Sequence, residues 1–159
     1  MEALSALLFF VKSAFSADYD KISFTTRREI DLTSLVGENN SASCSMFWNG
    51  MLRVVNVRRV LENCSCRGTG CVRIAIEDTI LPENCGTWKL TFAPGQVNFV
   101  EKTEEQPDVS LTINAFSALI CGARDVHSLA WIPDAVVHNA AAPLAGVFYA
   151  KPCFMLDLF

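Results

Sequence analysis

Three times between residues 71 and 102 the apolar side chains fall on every second position. Residues 71–78 carry Val72, Ile74 and Ile76; residues 86–92 carry Trp88, Leu90 and Phe92; residues 96–102 carry Val97 and Phe99. Successive side chains on a strand point to opposite faces, so this period predicts three strands that share one apolar face. Ala93-Pro94-Gly95 stands between the last two as a hairpin turn. An antiparallel meander of this kind is stable only when that face is covered, which calls for helices elsewhere in the chain.

Several segments supply them. Leu4, Leu7, Leu8, Val11, Ala14 and Phe15 recur at helical spacing and predict an amphipathic helix over residues 3–15. Asn56 offers an N-cap to a helix over 57–63, and Asn114 one to a helix over 115–121 that Gly122 ends. Further helical pieces are expected at 126–131 and 134–142, punctuated by Pro133 and Pro143. Residues 21–26, 46–56 and 109–113 read as additional strands, and Asp31 as the cap of a short helix to Val36 stopped by Gly37. Residues 38–45 (ENNSASCS) are the clearest linker, and 64–70 a turn-rich break. The class is α+β, an antiparallel sheet backed by helices.

Composition narrows the partners. A net charge of −4 with acids and bases interspersed excludes the clustered Lys and Arg that nucleic acid or an anionic membrane surface requires. No apolar stretch reaches the ~18–20 residues of a membrane span. Residues 1–17 imitate a signal peptide, but Glu2 stands where positive charge belongs and Lys12 follows the apolar run, so an amphipathic helix is the reading. Eleven phenylalanines demand a large core, an internal pocket or a face meant for another domain. Seven cysteines, an odd number, argue against a secreted disulfide framework and for the reducing cytoplasm.

The groups that could carry chemistry are few. Cys64, Cys66, Cys71 and Cys85 cluster in sequence, but one Cys-x-Cys followed by lone cysteines lacks the paired knuckles of a zinc site, and no metal is expected. His127 and His138 show no patterned nucleophile or carboxylate, which leaves them structural, each on or beside a helix. Glu77 and Asp78, adjacent at a strand end, face opposite ways and read as solvated surface, as do Glu104 and Glu105 in their loop. Arg67-Gly68-Thr69-Gly70 lacks the Lys-Ser/Thr of a phosphate-binding loop. The last residues, Met155-Leu156-Asp157-Leu158-Phe159, are apolar to the end; a buried tail would need a partner for its terminal carboxylate.

Two stretches carry a family likeness. Met51-Leu52-Arg53-Val54-Val55-Asn56-Val57 resembles the strand-to-helix opening of the C-terminal domain in Eis-type acetyltransferases, with Asn56 in place of the commoner Asp and the same capping chemistry. Leu111-Thr112-Ile113-Asn114-Ala115-Phe116-Ser117-Ala118-Leu119-Ile120-Cys121-Gly122 is similar to the strand–cap–helix–Gly pattern of sterol carrier protein type 2 folds, with Trp88-Lys89-Leu90 and Pro94-Gly95 where that fold has its meander. The resemblance implies a sterol-carrier-like domain over residues 46–159, preceded in 1–45 by the end of a GNAT-like lobe. For the complete protein it implies a bacterial, cytoplasmic amine N-acetyltransferase in which an upstream GNAT domain binds acetyl-CoA and the amine attacks the thioester directly. The terminal carboxylate of Phe159 would be the general base. This chain would hold no cofactor, and the family's general-acid tyrosine belongs to the upstream lobe, so neither Tyr19 nor Tyr149 inherits that role. Partners would be the upstream domain, the amine and further copies of the protein. The rival reading is a stand-alone lipid or sterol carrier.

Overall fold

A computed structural model describes residues 2–18, 21, 23–25, 43–45 and 51–152. The chain divides into two units, Met1–Trp48 and Asn49–Phe159.

In the first unit the expected amphipathic helix is present as α1, Glu2–Phe15. Leu4, Leu8 and Val11 form its half-buried stripe at i, i+4 and i+7. Phe9 and Phe10 stay 74% and 60% exposed, and the Phe10 ring meets Phe15 edge-on at 6.3 Å. Residues 21 and 23–25 form no strand, contrary to the alternation read there. The helix expected at 31–36 lies outside the described residues, as does most of the 38–45 linker, whose residues 43–45 have no regular structure.

Of the strand expected over 46–56, residues 46–50 lie outside the described residues, and 51–56, at the start of the second unit, are described and form none. Their backbone donors go to side chains instead: Val54 N–H to Ser117 Oγ at 3.0 Å and Val57 N–H to Asn84 Oδ1 at 3.1 Å. Helix α2, Val57–Asn63, starts where Asn56 caps the Arg59 N–H. The meander follows as β1 (Gly70–Glu77), β2 (Gly86–Phe92) and β3 (Phe99–Thr103). Antiparallel register sets Val72 against Leu90 and Ile74 against Trp88, which puts the buried residues of both strands on one face. Strand β3 starts three residues later than expected because Asn98 is drawn aside. Its amide donates to the Leu61 and Cys64 carbonyls, both at 2.8 Å, and ties the end of α2 to the β2–β3 connection.

Strand β4, Val109–Thr112, returns to the other side of β1 and pairs with it in parallel, Ile74 opposite Val109 and Ile76 opposite Leu111. The connection, residues 104–108, crosses the face away from the helices, where Glu105 meets Lys89 at 2.7 Å and Arg73 at 3.1 Å. Glu105 is exposed, as expected, and its carboxylate also joins an ion cluster. Helix α3, Ile113–Ile120, follows without a break, capped by Thr112 Oγ1 on the Ala115 N–H; Asn114, the expected cap, is exposed. A 3-10 helix spans Val126–Trp131 as the helical pattern foretold.

The segment expected to be helical from 134 is instead β5, Ala135–Val137, antiparallel to β4. Two β-branched valines meet the open edge of β4, and edge pairing overrides weak local helical preference. The sheet order is β3-β2-β1-β4-β5. Helices α2 and α3 cover its apolar face through Val57, Leu61, Phe116, Leu119 and Ile120. The result is the α+β class, a five-stranded sheet backed by helices.

Candidate functional site at the exit of the C-terminal segment

The residues that precede the chain's last stretch are held from three sides. Gly122, at φ +82, turns the chain out of α3, with its N–H on the Leu119 carbonyl at 3.1 Å. Lys151 then passes directly over it. The Lys151 ammonium donates to Ile120 O at 2.8 Å and Val147 O at 3.3 Å, placing positive charge on the carbonyl end of α3. Phe148, fully buried, meets Phe116 edge-to-face at 6.4 Å and anchors this segment in the core.

Two cations approach the Tyr149 ring, the Arg67 guanidinium carbon 3.9 Å and Lys151 Nζ 4.6 Å from its centroid. Its hydroxyl donates to the Ser65 carbonyl at 3.1 Å. Ser65 separates the two cysteines of the Cys-x-Cys run. Their sulfurs stand 3.7 Å apart, both half-buried, and Asn98 Nδ2 lies 3.6 Å from Cys64 Sγ and 3.8 Å from Cys66 Sγ. The hydrogen bond from Cys64 holds the Cys66 thiol down at about 7, helped by the Lys151 charge and Asn98. The same bond and burial push Cys64 well up. Of the two thiols, Cys66 is the one whose ionisation these surroundings favour.

The other two cysteines of the run do not join them. Cys85 Sγ bonds the backbone of Asp78, and Cys71 Sγ sits 3.6 Å from Thr91 Oγ1. Among the described residues no three His, Cys, Asp or Glu side chains converge as a metal site. Phe159 lies outside the described residues.

Asp78 overturns its reading as solvated surface. Its carboxylate is buried and accepts from Ile80 N at 2.9 Å, Leu81 N at 3.1 Å and Asn84 Nδ2 at 2.9 Å, and pairs with Arg53. Against the penalty of burial, the bonds from Asn84 and the two backbone N–H groups and the Arg53 charge hold it at about 2. The chain turns sharply after β1, and this carboxylate collects the donors that the turn frees. Asn84 also carries Trp88, whose Nε1–H donates to the Asn84 carbonyl at 2.9 Å.

Asp108 is buried likewise, bound to the Arg73 N–H at 2.8 Å and to Asn139 Nδ2 at 2.8 Å. Burial opposes ionisation of its carboxyl, but the bonds from Asn139 and Arg73 outweigh it and depress the group. His138 follows β5, not a helix, and its Nε2 lies 2.8 Å from Ser110 Oγ across the β4–β5 pair. No sequence spacing signals this contact, because it depends on the strand pairing. With Asp108 occupied by Arg73 and Asn139, the exposed Ser110–His138 pair lacks the orienting carboxylate of a nucleophilic triad. His127 is exposed near the start of the 3-10 helix. A depression of about 160 Å³ lined by Ala118, Arg124, Trp131 and Ile132 falls short of the ~300–1,000 Å³ typical of ligand pockets.

A mostly antiparallel sheet with two helices on one face, and a strand running straight into a capped helix, defines the class of sterol-carrier-like α+β domains. The sequence matches the sterol carrier protein domain family over residues 57–153, and the chain belongs to that family. No curated protein gives a significant sequence match. Among solved structures, it is similar to a conserved protein of unknown function, a probable N-acyltransferase, from Enterococcus faecalis (22% identity, TM-score 0.58, 67% of this chain and 28% of that one). It is similar to Eis1 from Mycobacterium abscessus (21%, TM-score 0.56, 67% and 27%). A GCN5-related N-acetyltransferase from Anabaena variabilis is a third (23%, TM-score 0.58, 67% and 28%). The matched region thus spans less than a third of each of these neighbours.

Proposed function

We propose that this chain is the C-terminal accessory part of an acetyl-CoA-dependent amine N-acetyltransferase. It would contribute a wall of the substrate cavity, oligomer contacts and the terminal carboxylate, and would be inactive alone. The observation that carries this reading is that the sterol-carrier-like fold matches a part, 28% of the length, of each of two longer chains described as a probable N-acyltransferase and a GCN5-related N-acetyltransferase. Residues 1–45 would be the end of the preceding lobe, and the exposed Phe9 and Phe10 of α1 suit a helix made to pack on more protein.

The chemistry asked of this chain is that of a base. The Phe159 α-carboxylate would accept the proton of the attacking ammonium, and a dry site raises its pKa toward the working range. Lys151 is fixed against α3, and Phe159 lies eight positions further along the chain. At ~3.3–3.6 Å per residue the carboxylate can reach about 27 Å from that anchor, enough to enter a neighbouring domain.

Deleting Phe159 from the complete enzyme should lower kcat by about 10²–10⁴, the usual worth of a positioned base, with acetyl-CoA affinity kept. An unchanged kcat overturns the carboxylate's role. Turnover of acetyl-CoA by the 159-residue chain at enzymatic rates overturns the accessory role. The carrier alternative asks for stoichiometric uptake of a fluorescent fatty acid, which the filled core around Phe92, Phe116 and Phe148 disfavours.

A further inference from the structure

We propose that Cys64 and Cys66 form a dithiol site that exchanges with low-molecular-weight disulfides, Cys66 attacking and Cys64 resolving. The inference stands on the geometry of the Cys64–Cys66 loop and is independent of the acetyltransferase reading.

The two sulfurs already touch at 3.7 Å, and oxidation would bring them to the ~2.05 Å of a disulfide bond. Both are half-buried, within reach of a small reagent. The cationic and polar groups around them favour an anion. The Lys151 ammonium lies to one side, the Asn98 amide reaches both sulfurs, and Arg67 follows directly in sequence. The ionisable neighbours are Cys64, Lys151, Arg67 and Tyr149, whose hydroxyl is engaged with Ser65 O. The hydrogen bond between the two thiols and the burial of Cys64 disfavour a charge on Cys64, while that bond, Lys151 and Asn98 favour one on Cys66. A thiol near 7 is about half ionised at neutral pH, against a few per cent for an ordinary cysteine near ~8.5. It also keeps the nucleophilicity that a much more acidic thiol loses.

The exchange balances without another reactant. The Cys66 thiolate attacks one sulfur of the disulfide R–S–S–R, forms Cys66–S–S–R and expels one thiolate. The Cys64 thiol, giving up its proton, attacks the Cys66 sulfur, closes Cys64–Cys66 and expels the second thiolate. The reagent is reduced by two electrons to two R–SH, and the protein's two thiols are oxidised. The other described cysteines lack a sulfur partner: Cys121 donates to Ala118 O, and Cys85 is held by Asp78.

Trypsin isolates the site, because Arg59 and Arg67 bracket a peptide, residues 60–67, that holds these two cysteines and no other. The reduced protein is exposed to glutathione disulfide, quenched, alkylated and digested. The expected product is the 60–67 peptide two hydrogens lighter and unalkylated, formed at least tenfold faster than the Cys71 peptide gains glutathione. Cys64→Ser should trap one glutathionyl group on Cys66, and Cys66→Ser should slow reaction at the peptide at least tenfold. A peptide that remains a dithiol while Cys44 and Cys71 react overturns the proposal. So does a wild-type peptide carrying only mixed disulfide, or equal rates in the two variants.

Discussion

Gly122 and Lys151 pass so closely that a Cβ on Gly122 would collide with the Lys151 Cβ and with its backbone nitrogen. Gly122 also holds φ at +82, a conformation that costs an L-residue about 1–2 kcal/mol. Gly122→Ala should therefore destabilise by more than ~2 kcal/mol in urea unfolding, since backbone displacement adds to the torsional cost. Trimming Lys151 to Ala in the same protein should not restore stability, because the clash is with main chain. A near-neutral Gly122→Ala would show that residues 147–152 are not fixed against α3.

Ser117 gives a sharper test of how the segment before α2 is held. Its hydroxyl, buried in α3, donates to Ile113 O at 2.7 Å and accepts from the Val54 N–H at 3.0 Å. Ser117→Ala removes little volume but leaves a buried N–H without an acceptor, which costs about 1–3 kcal/mol. The measurement is the shift in urea midpoint at constant slope.

These contacts mark where sequence reasoning stops. The meander was legible because alternation is local and one face is buried, and the Asn56 cap was legible because it acts within four residues. Strand β5 was not, since Ala135-Val136-Val137 becomes a strand only beside the free edge of β4. The parallel pairing of β1 with β4 leaves no periodicity of its own. Ser117 and the Ser110–His138 pair share that character, each depending on a residue at least 28 positions away, and Asp78 adds the distant Arg53 to donors from its own turn. The Cys-x-Cys run was visible, but the Lys151 and Asn98 that give it electrostatic character come from distant segments. Thr112 took the cap expected of Asn114 because β4 runs directly into α3.

Asp78 sets an acid limit to stability. Its carboxyl sits at about 2 in the folded chain against an ordinary 3.8, so its contribution is complete above about pH 4 and is lost as pH falls through 2. Asp108 and Glu105 are depressed as well and steepen the same fall. Wild-type stability should drop between pH 4 and 2, and Asp78→Asn should be less stable at pH 6 with a shallower drop. Parallel pH profiles of the two proteins would remove Asp78 from the account.

Lys151 links the helix end to the thiol pair, and its two roles separate by substitution. As a donor to Ile120 O and Val147 O it makes charge-assisted bonds that contribute about 1.5–3 kcal/mol. As a nearby charge it helps hold the Cys66 thiol at about 7. Lys151→Met keeps the stem over Gly122 but loses both effects: stability should fall, and the pH midpoint for alkylation of Cys66 should rise. Lys151→Arg keeps the charge, so the midpoint should stay near 7 even if the larger head disturbs the bonds to the carbonyls. Added salt should raise the wild-type midpoint and leave that of Lys151→Met nearly unmoved, since screening acts only on a charge that is present. If the methionine variant loses stability with no movement of the midpoint, Lys151 is a helix cap and the acidity of Cys66 comes from Cys64 and Asn98 alone.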